Sequence, residues 1–469
     1  MKILPFVLAA ATVAAQPRPQ VRLPRYAREV LNNGAVLVLM PRKGVPLVSI
    51  QVTVKGGAES DPPEAAGLST ITAELLRRGT RTRGADRFSE ELDFIGATFS
   101  ARANPQATVV ATEFLSKDAD RAINLLADAV LHPTFPEEEV TKALSQRIEA
   151  SKASKDSPMP AASLYYQVFF FGPQHPYGRL SGGDEISLKG IDRAAIAAHH
   201  ARMYAGANLI VVAAGDFDEA EMRAKLAKAF GAAPAGNAYE WQKDRQPSGG
   251  SGSRLLLVDK PDATQTYFWI GNPGITRTHP DRVAVWIVNT LFGGRFTSML
   301  NDELRVNSGL TYGASSRVDE NRLTGRISMF SYTRTDATVQ AIDLALATLK
   351  RFREQGISAE QLASAKAYLK GVFPTERMET PAQLADALGE IELFGLTRAE
   401  IDDLFARIDA VTVEQANEAV RKHFGSGDLV FTLVGNAAKI RESVKKYAQQ
   451  ATEIPITAPG FRLTEPASR

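Results

Sequence analysis

Residues 67–80 read GLSTITAELLRRGT. Leu68, Ile71, Leu75 and the neighbouring Leu76 fall at helical spacing, so a short amphipathic helix is expected after Gly67. Two strand-like runs precede it, Ala35–Met40 (AVLVLM) and Val45–Lys55 (VPLVSIQVTVK). In the second, Val48, Ile50, Val52 and Val54 alternate with polar residues, the pattern of a half-buried strand, and Gly56-Gly57 ends it. Downstream the pattern predicts a short helix over Ser89–Ile95 and a strand pair at Thr98–Arg102 and Ala107–Phe114. Long helices follow at Lys117–Leu131 and Glu137–Ser154, with Pro136 suited to the first turn of the latter. Asn208–Ala214 reads as a buried strand closing on Gly215-Asp216.

From about Ala233 to Ser253 the periodicity breaks into APAGNAYEWQKDRQPSGGSGS, a Gly, Ser, Pro and charge-rich linker. Beyond it the opening order returns. Arg254–Val258 (RLLLV) takes the place of the first strand, Thr266–Gly271 (TYFWIG) of the second, and Asp281–Leu291 (DRVAVWIVNTL) of the Gly67 helix. Long helices at Asp336–Gln355 and Ala359–Val372 and a strand at Leu429–Val434 complete the parallel. The expected fold class is therefore α+β: two homologous halves, each a mixed or antiparallel sheet packed with helices, joined by a linker. Residues 16–234 form the first half, 235–253 the linker and 254–455 the second half. The tail over 456–469, with Pro459 and Pro466, is expected to be extended and mobile.

A chain of 469 residues exceeds one ordinary core. Its 44% hydrophobic and 23% charged content is that of a soluble globular protein, and a net charge of +2 without single-sign runs argues against nucleic-acid binding. Cysteine is absent, which removes disulfides, thiolate metal sites and cysteine nucleophiles. The N-terminus, MKILPFVLAAATVAAQPRPQ, has one lysine, an apolar run and small residues at Val13-Ala14-Ala15. It reads as a signal peptide over 1–15, cleaved after Ala15, and implies export to a bacterial periplasm. No segment suggests a membrane span.

Strand, strand, G-L-x-x, helix and G-T resembles the opening of the pitrilysin/insulinase-type zinc peptidases, whose inverted motif is H-x-x-E-H. His175-Pro176-Tyr177-Gly178 with Gly182-Gly183, the run Ala207–Asp218 (ANLIVVAAGDFD) and, most specifically, Leu291–Ser316 (LFGGRFTSMLNDELRVNSGLTYGASS) agree with it. With Gly67 and Gly79-Thr80 as anchors, the first motif histidine falls on Thr70, the catalytic glutamate on Ala73 and the second histidine on Glu74. A threonine and an alanine supply neither imidazole ligands nor a general base, so this chain is expected to carry no metal there. Glu149 lies near the third ligand's place but out of register. The histidines His132, His175, His199, His200, His279 and His423 are scattered without ligand spacing, which suits capping, turn or surface roles.

Ser298–Arg305 reads as a helix stopped by Gly309, and Tyr312 as the start of a strand over Tyr312–Val318. On spacing alone, Arg305 suits a helix C-terminus and Tyr312 a strand edge. The resemblance implies more: an arginine and a tyrosine here bind substrate backbone near the scissile carbonyl, and both are expected to point into one cleft. The expected function is that of a non-zinc-binding subunit of a heteromeric metallopeptidase. Arg305 and Tyr312 would act in trans on peptide held at the zinc of a homologous H-x-x-E-H partner, and this chain alone would be inactive. The alternatives are a catalytically inactive structural core subunit of a larger assembly, and a peptide-binding module that accepts an extended segment at a sheet edge.

Overall fold

The computed structural model describes residues 21–243 and 252–463. The leader with its cleavage site, residues 244–251 of the linker and the last six residues lie outside them.

The first sheet contains β1 (Ala27–Val30), β2 (Val36–Pro41), β3 (Leu47–Lys55), β4 (Thr98–Ala103), β5 (Ala107–Leu115) and β6 (Leu209–Gly215), in the order β1-β2-β6-β3-β5-β4. The second contains β7 (Arg254–Asp259), β8 (Gln265–Pro273), β9 (Ala314–Asp319), β10 (Arg326–Arg334), β11 (Val430–Gly435) and β12 (Gln450–Pro455), in the order β12-β7-β11-β8-β10-β9. Five strands repeat with the same order and sense, including the one parallel pair β2–β6 matched by β7–β11. The sixth differs. β1 precedes its half and runs antiparallel to β2, whereas β12 follows its half and runs parallel to β7.

Helices of the first half are α1 (Leu68–Leu75), α2 (Ala85–Phe94), α3 (Ala119–Leu131), α4 (Glu137–Ala153), α5 (Pro158–Phe171), α6 (Arg193–Met203) and α7 (Glu219–Phe230). Those of the second are α8 (Arg282–Asn289), α9 (Met299–Asn301), α10 (Thr338–Gln355), α11 (Ala359–Arg377), α12 (Pro381–Phe394), α13 (Ala399–Asp402), α14 (Leu404–Ala410), α15 (Val413–His423) and α16 (Ala437–Val444). The sequence periodicity locates α1–α4 and α8–α11; of the helices that escape it, α5 and α12 matter most for the fold. Both are apolar around most of their circumference, and such helices lack the polar face that periodicity detects.

Those two helices are exchanged between the halves. α5 lies on β8 and β11 of the second sheet, and α12 on β3 and β6 of the first. Tyr166 of α5 stacks on Trp269 at 5.4 Å, inside a cluster with Leu256, Val258, Val430 and Val434. Each large side chain buried in this way contributes about 1.5–3 kcal/mol, so neither half covers its own sheet alone. The exchange corrects the half-buried reading of β3. Val48, Ile50, Val52 and Val54 face the first-half core, as expected, but Ser49, Gln51 and Thr53 are buried too, beneath α12. Gly389 permits this approach, since a Cβ there would stand 2.6 Å from the Gln51 amide nitrogen.

The chain past Ile454 does not hang free through Leu463. Ile456 and Phe461 are buried, Phe461 lies 4.7 Å from the Tyr165 ring, and Lys155 donates to Ala458 O at 2.6 Å. Pro459, one of the two prolines that suggested an extended tail, instead accompanies a strap over α5, and Pro466 lies outside the described residues.

Candidate functional site

Helix α1 starts at Gly67, whose φ of 98° favours glycine. Gly183 closes over it: a Cβ on Gly183 would meet Ala66 O at 2.5 Å. The first turn is capped from a distance by Asp61, whose carboxyl accepts from Gly67 N at 3.0 Å and Ser69 N at 2.9 Å and whose Oδ1 lies 2.5 Å from Ser69 Oγ. These contacts satisfy N–H groups that a helix start leaves open. Burial pushes the Asp61 carboxyl up to about 7, against those hydrogen bonds and the nearby Arg179, which lower it.

The three motif positions sit along this helix as the spacing requires, and none offers a free metal donor. The Thr70 hydroxyl donates to Ser181 O at 2.5 Å. Ala73 is fully buried. The Glu74 carboxylate is gripped by both sides of the Arg147 guanidinium, with Nε 3.1 Å from Oε2 and Nη2 on Oε1. Arg147 comes from α4, the helix expected to bring a third ligand. Glu149 points elsewhere, exposed and paired with Lys152 at 2.7 Å. A cleft of about 520 Å³ remains here, lined by Glu74, Arg77, Arg78, Phe99 and Arg147. Zinc needs neutral imidazoles, thiolates or free carboxylates; these residues supply guanidinium groups instead and do not fit it.

The histidine nearest this helix is His199 on α6, whose Nε2 lies 3.4 Å from Ser69 Oγ. It is buried, and desolvation pulls its pKa down to about 3; His200 is lowered to about 4 for the same reason. His199 is an interior side chain and His200 a half-buried one beside Val130 O, where the sequence suggested capping, turn or surface roles. His175 caps a turn, its Nδ1 accepting from Tyr177 N at 3.0 Å.

In the second half, α8 continues as π turns over Thr290–Gly294, and α9 as π turns over Asp302–Asn307. The regular helix expected over Ser298–Arg305 is thus three α residues followed by a widened turn, a feature frequent at functional sites. Gly293 lets this segment touch β9, because a Cβ there would meet Ser316 N at 2.3 Å. Two buried asparagines tie the region together. Asn289 accepts from Ser316 Oγ at 2.6 Å; Asn301 donates to Phe296 O at 2.7 Å and accepts from Ala314 N at 3.3 Å. Gly309, at φ 62°, closes the helix end, where Leu310 N and Thr311 N share Leu304 O.

Arg305 and Tyr312 stand at the two ends of that closing turn. The Arg305 guanidinium lies 4.7 Å over the Phe296 ring. Among the described residues no carboxylate pairs with it. Tyr312 is 79% exposed, and β9 begins two residues later, at Ala314, not at Tyr312 as expected. The side chains extend along Phe296 and into solvent; the cleft over Glu74 is lined by first-half residues alone. The sequence missed one grouping: His279, Asp281 and His423 come together beside α8 and α15. Their separation along the chain hid it.

Most of the chain is similar to proteins of one family. A model described as insulinase (peptidase family M16) matches residues 37–164, and one described as peptidase M16 inactive domain matches residues 190–369. An uncharacterized zinc protease of Mycobacterium leprae is 26% identical over 407 residues, 86% of this chain and 91% of that protein. A non-peptidase homolog, YmxG, of Helicobacter pylori is 24% identical over 87% of this chain and 94% of its own. The crystal structure of a peptidase M16 inactive domain from Pseudomonas fluorescens superposes with a TM-score of 0.82 at 25% identity, covering 88% of this chain and 98% of that one.

Proposed function

Two adjoining family matches and a fold-wide structural likeness make this chain a member of the M16 (insulinase) peptidase family, and on that premise we propose that it is the metal-free subunit of a two-chain peptidase. It is an M16-like protein of the non-catalytic type, in keeping with the inactive-domain match and the non-peptidase relative. The proposal goes further in giving it a homologous zinc-bearing partner, an exported location in a bacterial periplasm and a peptide substrate.

One contrast carries the reading. Arg147, at the degenerate motif, has its guanidinium consumed by Glu74. Among the described residues no carboxylate meets the Arg305 donors, and Tyr312 holds its hydroxyl in solvent. Unspent donors on a rigid, asparagine-tied turn suit binding of peptide carbonyls, where a preorganised donor aimed at developing oxyanion charge is worth about 2.7–4 kcal/mol. The partner's zinc would supply the hydrolytic chemistry. This chain would orient the substrate: the guanidinium gripping extended backbone carbonyls, the phenol donating one further hydrogen bond.

The test is cleavage of unstructured peptides by this chain, by an H-x-x-E-H relative encoded beside it, and by the two mixed. Cleavage by the mixture alone, lost by about 100-fold or more in Arg305→Ala and Tyr312→Phe complexes that still assemble, supports the reading. Unchanged cleavage in those variants refutes the assigned roles. A second reading rests on the edge strand β4, whose residues Phe99–Ala101 border the cleft. An extended peptide added there would be bound without being cut, which predicts peptide affinity in this chain with no partner present.

A further inference from the structure

His279 and Asp281 occupy the turn that enters α8, and His423 is the last residue of α15. Packing of α15 on α8 brings the three side chains together. Their ligand atoms all lie within 4.8 Å of one another. His423 Nε2 is 2.7 Å from Asp281 Oδ2, and His279 Nδ1 is 4.0 Å from the same oxygen. The two imidazole rings meet edge to face at 5.2 Å.

A metal about 2.0–2.2 Å from each donor places neighbouring tetrahedral donors roughly 3.3–3.6 Å apart. The observed separations of 2.7 and 4.0 Å bracket that spacing, so rotations of side chains at the ends of two packed helices reach it. Asp281 already gathers positive charge, since Lys422 Nζ lies 2.7 Å from its Oδ2. That ammonium marks a position a cation favours. His279 and Asp281 also line a cleft of about 550 Å³, which leaves a fourth coordination position open to water.

We propose that His279, Asp281 and His423 bind one divalent transition-metal cation of the zinc type, which clamps the end of α15 to the start of α8. Two imidazoles and one carboxylate select such an ion over magnesium or calcium, whose sites are built from oxygen. Binding replaces the hydrogen that His423 Nε2 shares with Asp281, and that proton leaves to solvent. It also displaces the Asp281 backbone N–H from His279 Nδ1, now 3.0 Å away, and turns Lys422 outward. The site lies in the second half and is independent of the α1 position, whose residues reject zinc. It does not rest on the two-subunit reading.

The test uses the full mature chain without an affinity tag, stripped with chelator and titrated with Zn²⁺, with Co²⁺ as a spectroscopic probe and Mg²⁺ as a negative arm. One Zn²⁺ should bind per chain and raise the melting temperature. His423→Ala and His279→Gln should each weaken binding by at least about tenfold. Lys422→Met, which removes the competing cation, should tighten it several-fold. His132→Ala should leave it unchanged. His279→Gln alters a turn residue and keeps the core intact, so it reads the site even where the His423 variant fails to fold. The absence of stoichiometric Zn²⁺ binding, or binding undiminished in His279→Gln, overturns the proposal and leaves an ordinary capping turn with an ion pair.

Discussion

Asp61 makes a sharp prediction because its neighbourhood lacks a proton. Ser69 Oγ lies 2.5 Å from Asp61 Oδ1 and 2.7 Å from Gly57 O, yet a hydroxyl has one hydrogen to give. An ionised Asp61 leaves one of those contacts without a donor. A protonated one donates to Ser69 Oγ and frees the serine hydrogen for Gly57. With the side chain 2% exposed, burial acts in the same direction, raising the carboxyl from 3.8 to about 7. A carboxyl whose folded pKa is raised keeps a proton that the unfolded chain has released. Its contribution to stability therefore falls as pH rises from about 4 to about 7. About three pKa units at 1.36 kcal/mol each amount to roughly 4 kcal/mol lost by pH 8. Asp61→Asn abolishes this titration at the cost of one misdirected hydrogen bond, about 1–2 kcal/mol. About 1 kcal/mol of that term is already lost at pH 4.5, so the wild type should there be the more stable by no more than about 1 kcal/mol, and the variant near pH 8 by about 2–3 kcal/mol. His199 and His200 titrate with the opposite sign, since their depressed folded pKa values make stability rise with pH up to the unfolded value near 6.5. They are common to both proteins and cancel in the difference. Urea unfolding of both proteins from pH 4.5 to 8 at fixed ionic strength reads the crossing directly. Parallel stability curves would refute the raised pKa and the proton inventory with it.

Other consequences concern the two sites. Thr70→His with Glu74→His should not bind zinc while Arg147 remains, because its guanidinium occupies the position facing residue 74; adding Arg147→Glu should create a zinc site, detectable by calorimetry on the isolated chain. The Glu74–Arg147 pair is partly exposed, so a double-mutant cycle by chemical denaturation should return a coupling of only about 1 kcal/mol. Gly293→Ala forces a methyl against Ser316 N and should cost about 1–3 kcal/mol in the same assay, with reduced activity in any complex that depends on Arg305. Tyr312→Phe should shift unfolding by less than about 0.5 kcal/mol, since the hydroxyl stands in solvent, and so separates a substrate role from a structural one.

Much of the architecture was legible because strands and amphipathic helices write their periods locally. Val48 to Val54 mark one face of β3, and the same strand, strand, helix order returns after the linker. The failed metal motif was legible for a simpler reason: no fold gives Thr70 or Ala73 an imidazole. What escaped were surfaces supplied from far along the chain. Gln51 and Thr53 read as solvent-facing because nothing in β3 records that α12 will cover them. Tyr312 read as a strand residue because the widened π turn and the asparagine clasps that delay β9 are products of packing.

The sequence by itself determined the two halves, their repeated order and the loss of zinc ligands at α1, since each depends on side-chain identity at positions close in the chain. Only the tertiary structure decided that the halves exchange α5 and α12, that Arg147 rather than Glu149 meets Glu74, and that His279, Asp281 and His423 converge. Periodicity reports which face of an element is apolar, and that face fits many partners. Which partner it meets, and which polar groups are carried together as a result, is settled when the layers pack and every buried donor and acceptor must find its counterpart.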